Sequence, residues 1–126
     1  MSRSTLHVTE SCRPVSEVLQ SVGNKWTVLV VMQLWDGERR FSELRRSIPG
    51  VSQRMLTLTL RSLERDGLLV RKVTPVIPPR VDYKLTRLGK SLGECVRVLG
   101  QWAFDNHQAM DTARAKFDAK KKHAAV

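Results

Sequence analysis

The chain has 126 residues, of which 41% are hydrophobic and 27% charged, and a mass of 14.3 kDa. This length and composition predict one compact globular domain and exclude a largely disordered chain. The longest apolar run, Val28–Met32, is much shorter than the roughly 20 residues that a membrane-spanning helix needs. The polar N-terminus carries no secretory signal core, and two distant cysteines form no disulfide framework, so we expect a cytoplasmic protein.

The charge is strong and concentrated in the middle of the chain. Lysine and arginine number 22 against 12 aspartate and glutamate residues, for a formal net charge of +10. Residues 39–90 are net +9, whereas residues 1–38 are net −1 and residues 91–126 are net +2. A binding face concentrates charge that a surface serving only solubility would spread. The middle segment therefore predicts a face for a polyanion, either nucleic acid or an anionic membrane surface.

The first half of the chain has the pattern of a mainly helical domain. Proline and glycine residues mark the ends of the predicted elements, and Ser42 and Ser52 are expected to be helix N-caps. The helix at 25–35 is apolar nearly all round, which predicts the central core helix. The expected helices are 14–22, 25–35, 42–47 and 52–66, with a short strand at 39–41.

The second half predicts a wing and a long helix. Strands 68–73 and 80–85 flank a loop with three prolines, which predicts a β-hairpin next to the helix-turn-helix unit. Thr86 is expected to cap a helix that reaches about His107. Apolar positions recur along it at heptad spacing: Leu88, Leu92, Cys95, Leu99 and Trp102. We expect a flexible N-terminal arm at 1–11, one winged helix-turn-helix domain at 12–107 and a basic C-terminal tail at 108–126.

Six sequence blocks in register resemble the HxlR family of bacterial, MarR-like winged helix-turn-helix transcription regulators. They are Gly23-Asn24-Lys25-Trp26, Arg40-Phe41-Ser42-Glu43-Leu44-Arg45, Ile48-Pro49-Gly50-Val51-Ser52 with Met55-Leu56, Leu63-Glu64-Arg65-Asp66-Gly67-Leu68, Pro78-Pro79-Arg80-Val81-Asp82-Tyr83 and Leu85-Thr86-Arg87-Leu88-Gly89. The resemblance covers about residues 12–105. It implies a homodimeric DNA-binding repressor or activator that has no enzyme activity of its own.

The helix at 52–66 is the expected recognition helix. At 100° per residue, its leucines at 56, 60 and 63 share one side, and three arginines lie opposite. A solvated polar face is the alternative, but Arg61 and Arg65 repel each other at i,i+4, which favours an anion opposite them. The predicted DNA contacts on this helix are Ser52, Gln53, Arg54, Thr57, Leu58, Arg61 and Arg65.

The wing and the preceding segment are expected to contact the DNA backbone. The rigid prolines would present Arg80 at low entropic cost. The alternatives are basic edge residues that deter aggregation, and pairing of one or two arginines with Glu38 or Glu43. The predicted contacts are Arg39, Arg40, Arg45, Arg46, Arg71, Lys72 and Arg80.

The heptad seam predicts a dimer interface. The simplest alternative is that the seam is core, with Cys95 as a small core residue. A helix of some 20 residues, however, is longer than a small winged domain covers, and leftover apolar faces normally contact a partner. The predicted interface residues are Val15, Val18, Leu92, Cys95, Leu99 and Trp102.

Cys12 is a candidate redox sensor. It precedes the helix that begins near Pro14 and lies beside Arg13, and helix-terminal amides and a cation both favour the reactive thiolate. The resemblance implies a cysteine near this place in many members, some of which sense oxidants or electrophiles. Here Arg13 separates Cys12 from Pro14, where the family has an adjacent Cys-Pro pair. The alternative is an incidental thiol in a loose arm.

These patterns predict a sequence-specific transcriptional regulator, with repression as the expected direction, that binds a double-stranded inverted-repeat operator as a homodimer in the nucleoid. No metal-ligand spacing, cofactor motif or catalytic motif occurs, so a small hydrolase is disfavoured and no cofactor, metal or membrane partner is expected. The alternative function is a basic structural RNA-binding protein. RNA-binding proteins generally show aromatic stacking platforms, and the basic stretch offers only Phe41 and Tyr83.

Overall fold

A computed structural model describes residues 13–124 and shows a mainly helical chain with one small sheet. The helices are α1 (Arg13–Val22), α2 (Lys25–Leu34), α3 (Phe41–Ser47), α4 (Gln53–Arg65) and α5 (Arg87–Ala124). The strands β1 (Arg39–Arg40), β2 (Leu69–Thr74) and β3 (Arg80–Leu85) form an antiparallel sheet in the order β1-β3-β2. This confirms the winged helix-turn-helix architecture. In this part of the chain, no helix combines the length and apolarity needed to cross a membrane.

Helix α2 is the centre of the core, as its nearly continuous apolar sequence predicts. Val30 and Val31 are fully buried, and Leu34 is almost so. They pack against α4 and α5, and Leu56 and Leu63 of α4 are also buried. The core therefore fixes α4 by its leucine face and leaves the opposite face of that helix to solvent.

The turn between α3 and α4 contains a glycine with positive φ, and it ends at the predicted N-cap of α4, Ser52. Gly50 has φ +80°, which an L side chain rarely adopts, and the Ser52 hydroxyl accepts a hydrogen bond from the Met55 amide at 3.0 Å. The predicted cap of α3 at Ser42 is wrong. The N-cap is Arg40, whose backbone is extended. Its amide donates a hydrogen bond to Glu43 Oε1 at 2.9 Å, so the side chain at the third helical position satisfies the N-cap amide.

The wing is a hairpin in which β2 and β3 pair from Leu69 opposite Leu85 to Thr74 opposite Arg80. Both strands lie within one residue of their predicted bounds. At the base of the wing, the Thr86 hydroxyl donates to the carbonyl of Gly67 at 2.6 Å and accepts from the Gly89 amide at 3.0 Å. Thr86 therefore caps α5, as predicted, and ties its start to the end of the recognition helix.

The predicted end of the last helix near His107 is wrong, because α5 continues to Ala124. It has 38 residues, a length of about 57 Å at 1.5 Å per residue. Residues 108–124 contain no glycine or proline, and Asp111 lies within ion-pair distance of His107 (3.8 Å) and Arg114 (3.7 Å). Nothing in this segment breaks a helix, so the helix of the domain extends through it.

Candidate nucleic-acid interface

The recognition helix presents a basic face opposite its buried leucines. Arg54, Leu58, Arg61 and Arg65 are exposed, and Thr57 lies half-buried at the edge of this face. Leu58 is 48% exposed, so an apolar side chain lies among the arginines and faces solvent. The structure thus brings the predicted helix contacts together on one surface.

The start of this helix is held by short polar contacts. Ser52 and Gln53 are both exposed, and the Thr57 hydroxyl donates to the carbonyl of Gln53 at 2.8 Å. The side chain of Gln53 accepts from Arg45 of α3 at 3.4 Å. Arg45 is therefore linked to the recognition helix, and it helps fix the two helices of the unit relative to each other.

The arginines of the basic face are not neutralised by neighbouring carboxylates. Among residues 13–124, Arg54, Arg61 and Arg65 form no ion pair within 4.0 Å, whereas Arg97 and Arg114 pair with acids on their own helix. Unpaired arginines on one helix face repel one another, and an external anion relieves that repulsion. The face has the charge and exposure of an anion-binding surface.

A polar recess lies between α4 and the wing. It encloses about 340 Å³ and is lined by Thr57, Leu60, Arg61, Glu64, Arg71 and Tyr83. Arg61 comes from the helix and Arg71 from β2, so the wall of the recess includes one arginine from each element. Guanidinium groups match the geometry of phosphate oxygens, and the recess is suited to a phosphate group.

In the wing, Lys72 is exposed, whereas Arg80 forms an ion pair with a buried residue of its own strand. The Arg80 Nε donates to Asp82 Oδ2 at 3.0 Å, and Asp82 is only 6% exposed. Alternate residues of a strand share a face, so the spacing of Arg80 and Asp82 could have indicated this pair. About half of the Arg80 side chain remains exposed, so the side chain is still accessible to a ligand.

The remaining predicted backbone contacts lie around β1 and α3. Arg40 and Arg46 are exposed, whereas Arg39 is half-buried and its Nε donates to the carbonyl of Gln33 at 3.4 Å. In the described structure, none of these arginines forms a side-chain ion pair with Glu38 or Glu43. The sequence-based alternative of local charge pairing is therefore not found.

The predicted dimer residues are mostly exposed in the single chain. Helix α1 buries no residue, and Val15 and Val18 are about half exposed, as are Leu99 and Trp102 of α5. Leu92 is half-buried against the core. The interpretation of Cys95 as a core residue is wrong: its side chain is exposed, because α5 meets the core through Gly89, Gly93 and Val96 instead.

An apolar groove separates α1 from α5. It encloses about 480 Å³, and Val18, Leu88, Leu92 and Cys95 are among its lining residues. Three further exposed apolar residues on these two helices were not among the predicted interface residues. They are Leu19 of α1, which is 58% exposed, and Met110 and Phe117 of α5. The helical spacing of Met110 and Phe117 was the available signal. Cys12 lies outside the described residues.

Comparison with known proteins gives the family. The sequence model of the family described as HxlR-like helix-turn-helix matches residues 21–111. The chain belongs to the HxlR-like helix-turn-helix family. It is 48% identical over 93 residues to YtfH of Escherichia coli, an uncharacterized HTH-type transcriptional regulator, with 74% of this chain and 73% of the relative covered. The family identity makes this HxlR-like chain a helix-turn-helix transcriptional regulator rather than an enzyme.

Solved structures agree with this assignment. The putative transcriptional regulator ytfH from Salmonella typhimurium has a TM-score of 0.76 and 43% identity, with 81% of the HxlR-like chain and 91% of the other covered. The redox regulator HypR in its reduced form has a TM-score of 0.74 and 39% identity, with 79% and 98% covered. In the HxlR-like family, the helix-turn-helix is the DNA-binding unit, so α4 and the wing form its candidate DNA interface.

Proposed function

We propose that this regulator binds an inverted-repeat DNA operator as a homodimer and represses transcription in the nucleoid. The observation that carries the proposal is the exposed face of α4, where Arg54, Arg61 and Arg65 have no carboxylate partner among the described residues. A helix with this face suits the major groove, where arginine reads guanine by paired hydrogen bonds.

The contacts divide into base readout and backbone positioning. Arg54 and Leu58, which are exposed near the start and middle of α4, are assigned to base edges, because the first turns of a recognition helix reach the groove floor. Arg61 and Arg71 share the polar recess and are assigned to one phosphate group. Arg40, Arg46 and Lys72 add sequence-independent phosphate contacts, with smaller contributions from Arg39, Arg45 and Arg80.

The dimer is proposed to form through α1 and α5. Val15, Val18, Leu99 and Trp102 expose about half of their apolar side chains, and large apolar side chains left exposed in this way favour an interface with a partner. A two-fold dimer presents two copies of α4, so the operator needs two half-sites in inverted orientation. Bound operator DNA is then closed to polymerase, which gives repression.

A redox response through Cys12 is part of the proposal. Its support is the sequence position of Cys12 beside Arg13, together with the similarity to the redox regulator HypR in its reduced form. A modified thiol before α1 would change the packing of that helix in the dimer. Small changes there alter the spacing of two recognition helices that must enter the DNA together.

RNA binding is disfavoured by the aromatic residues of the basic segment. Phe41 is half-buried and Tyr83 is only 8% exposed, so neither offers a free ring face on which an RNA base could stack. The deciding experiment is selection of bound sequences from a random double-stranded DNA pool, followed by sedimentation of the complex. The proposal requires an inverted-repeat consensus bound by two chains. Enrichment of no sequence, or stronger binding to single-stranded RNA, contradicts it.

A further inference from the structure

One stripe, apolar at every position except Asn106, runs along α5 far beyond the winged domain. At 100° per residue, positions 88, 92, 95, 99, 102, 106, 110, 113 and 117 lie within about 40° of a single line. Seven of these nine side chains are exposed, and only Leu92 and Asn106 are half-buried. From Leu88 to Phe117 the stripe is about 44 Å long, so its distal part lies on a helical arm, residues 108–124.

The groove between α1 and α5 has the opposite charge from this arm. Glu17 and Asp66 line the groove, and no lysine or arginine does. The arm holds five basic residues and two acidic ones, for a net charge of +3. In a protein with a net charge of +10, a groove with two carboxylates above an apolar floor fits a basic amphipathic helix.

We propose that the arm of each chain lies in the α1–α5 groove of the second chain, with the two α5 helices antiparallel. This deepens the proposed homodimer and rests on it. The stripe is symmetric about Trp102, which lies near its midpoint. A two-fold axis there places Phe117 of the second copy opposite Leu88, and Met110 of that copy opposite Cys95.

The pairing accounts for the composition of both surfaces. The wall that α5 gives to the groove (Leu88, Leu92 and Cys95) receives the apolar positions 117, 113 and 110 of the second copy. Arg114 and Lys121 flank the stripe of the arm, where they can reach the carboxylates of Glu17 and Asp66. The family description ends at residue 111, so most of the arm is an extension of this chain beyond the common domain.

Disulfide cross-linking in the full-length chain tests this pairing. In a Cys12→Ser, Met110→Cys variant, Cys95 and the new thiol lie about 22 Å apart along one helix, so they cannot join within a chain. We expect a cross-linked dimer under mild oxidant that disappears when Cys95→Ser is added. The matched control is Cys12→Ser, Phe104→Cys, because Phe104 is exposed on the opposite side of α5 and should not cross-link. No dimer from the Met110→Cys variant, or one that persists without Cys95, overturns the proposal.

Sedimentation equilibrium provides the second measurement. Phe117→Asp should raise the dimer dissociation constant at least tenfold, whereas Phe104→Asp should change it less than threefold. Both side chains are exposed, so circular dichroism should show folded proteins. A dimer insensitive to Phe117→Asp that still binds its operator overturns this inference alone. A wild-type monomer at micromolar concentration overturns both this inference and the proposed homodimer.

Discussion

The hydroxyl of Ser21 on α1 donates a hydrogen bond to the carboxylate of Asp66, the residue that caps the C-terminal end of α4. Helix α1 buries none of its residues, and this bond joins it to the end of the recognition helix. The contact spans the two parts of the proposed mechanism, because α1 belongs to the proposed dimer interface and α4 to the DNA interface. A shift of α1 can therefore reach α4 directly.

The first prediction concerns this contact. Ser21→Ala should lower the free energy of unfolding by only about 0.5–1.5 kcal/mol, because a single exposed hydrogen bond contributes little. It should change operator affinity more than Ser16→Ala, which alters an exposed serine on the same helix. Denaturant unfolding and fluorescence anisotropy measure the two effects. Equal operator affinities for the two variants would show that the contact does not couple the helices.

The second prediction separates base from phosphate contacts on α4. Arg54→Ala and Arg61→Ala should each weaken operator binding by about 1–3 kcal/mol, since each removes a charged hydrogen-bonding side chain from the DNA interface. Arg54→Ala should also relax base preference at one position, whereas Arg61→Ala should weaken all sequences alike. Arg97→Ala, which removes an exposed arginine paired with Glu94 on α5, is the control and should leave binding unchanged. Equal losses for Arg54→Ala on operator and random DNA would assign Arg54 to phosphate.

The third prediction follows from the buried partner of Arg80. Arg80→Ala should destabilise the fold by about 1–3 kcal/mol, because it leaves the carboxylate of Asp82 buried without its donor. It should also flatten the dependence of log affinity on log salt by about one charge. Adding Asp82→Ala should recover part of the lost stability. If the double variant is no more stable than Arg80→Ala alone, the ion pair between Arg80 and Asp82 does not explain the contribution of Arg80 to stability.

The fourth prediction concerns the close packing of α5 against Leu68, which lies between α4 and β2. A Cβ at Gly89 would lie 1.9 Å from the carbonyl oxygen of Leu68, whereas a Cβ at Gly100 on the same helix would meet nothing within 4 Å. Gly89→Ala should therefore cost about 1–3 kcal/mol of stability, and Gly100→Ala should be neutral or stabilising by up to about 1 kcal/mol. Thermal unfolding compares the two, and similar melting temperatures would contradict this packing.

The fifth prediction tests Cys12. Oxidant should abolish operator binding by the wild type and by Cys95→Ser, and leave Cys12→Ser active, because a thiolate is favoured beside Arg13. A reductant should restore binding if the product is a disulfide. Loss of the response in Cys95→Ser instead would move the sensor to the groove, and an unchanged response in both variants would make the two thiols bystanders.

The sequence predicted the elements whose signals are local. Ser52 and Gly67 bound the recognition helix as expected, and the predicted strand 80–85 has the bounds of β3. The sequence did not indicate Arg40 as the N-cap of α3. A glutamate such as Glu43 is common in the first turn of any helix, so its hydrogen bond from the Arg40 amide left no distinctive pattern. Helix α5 is longer than predicted, because the polar and basic segment 108–124 contains no residue that breaks a helix.

The charge of the interface was readable from the sequence, but its geometry was not. Concentrated arginines predicted a basic face, and the structure gathers Arg54, Arg61 and Arg65 on it. The recess shared by Arg61 and Arg71 depends on how the wing packs beside α4, which no local pattern encodes. The core interpretation of Cys95 is wrong for a similar reason. Its heptad position fits either a core or an exposed seam, and packing of α5 through its glycines decides which.

The most direct test of a dimer that reads DNA through α4 is hydroxyl-radical footprinting of the purified protein on DNA that contains its selected sequence. We expect two protected patches related by a two-fold axis, with centres about one helical turn or a multiple of it apart. At a protein concentration that half-saturates the wild-type site, protection of both patches should weaken together with Arg61→Ala and persist with Arg97→Ala. A single asymmetric patch, or protection that Arg61→Ala leaves intact, would contradict the account.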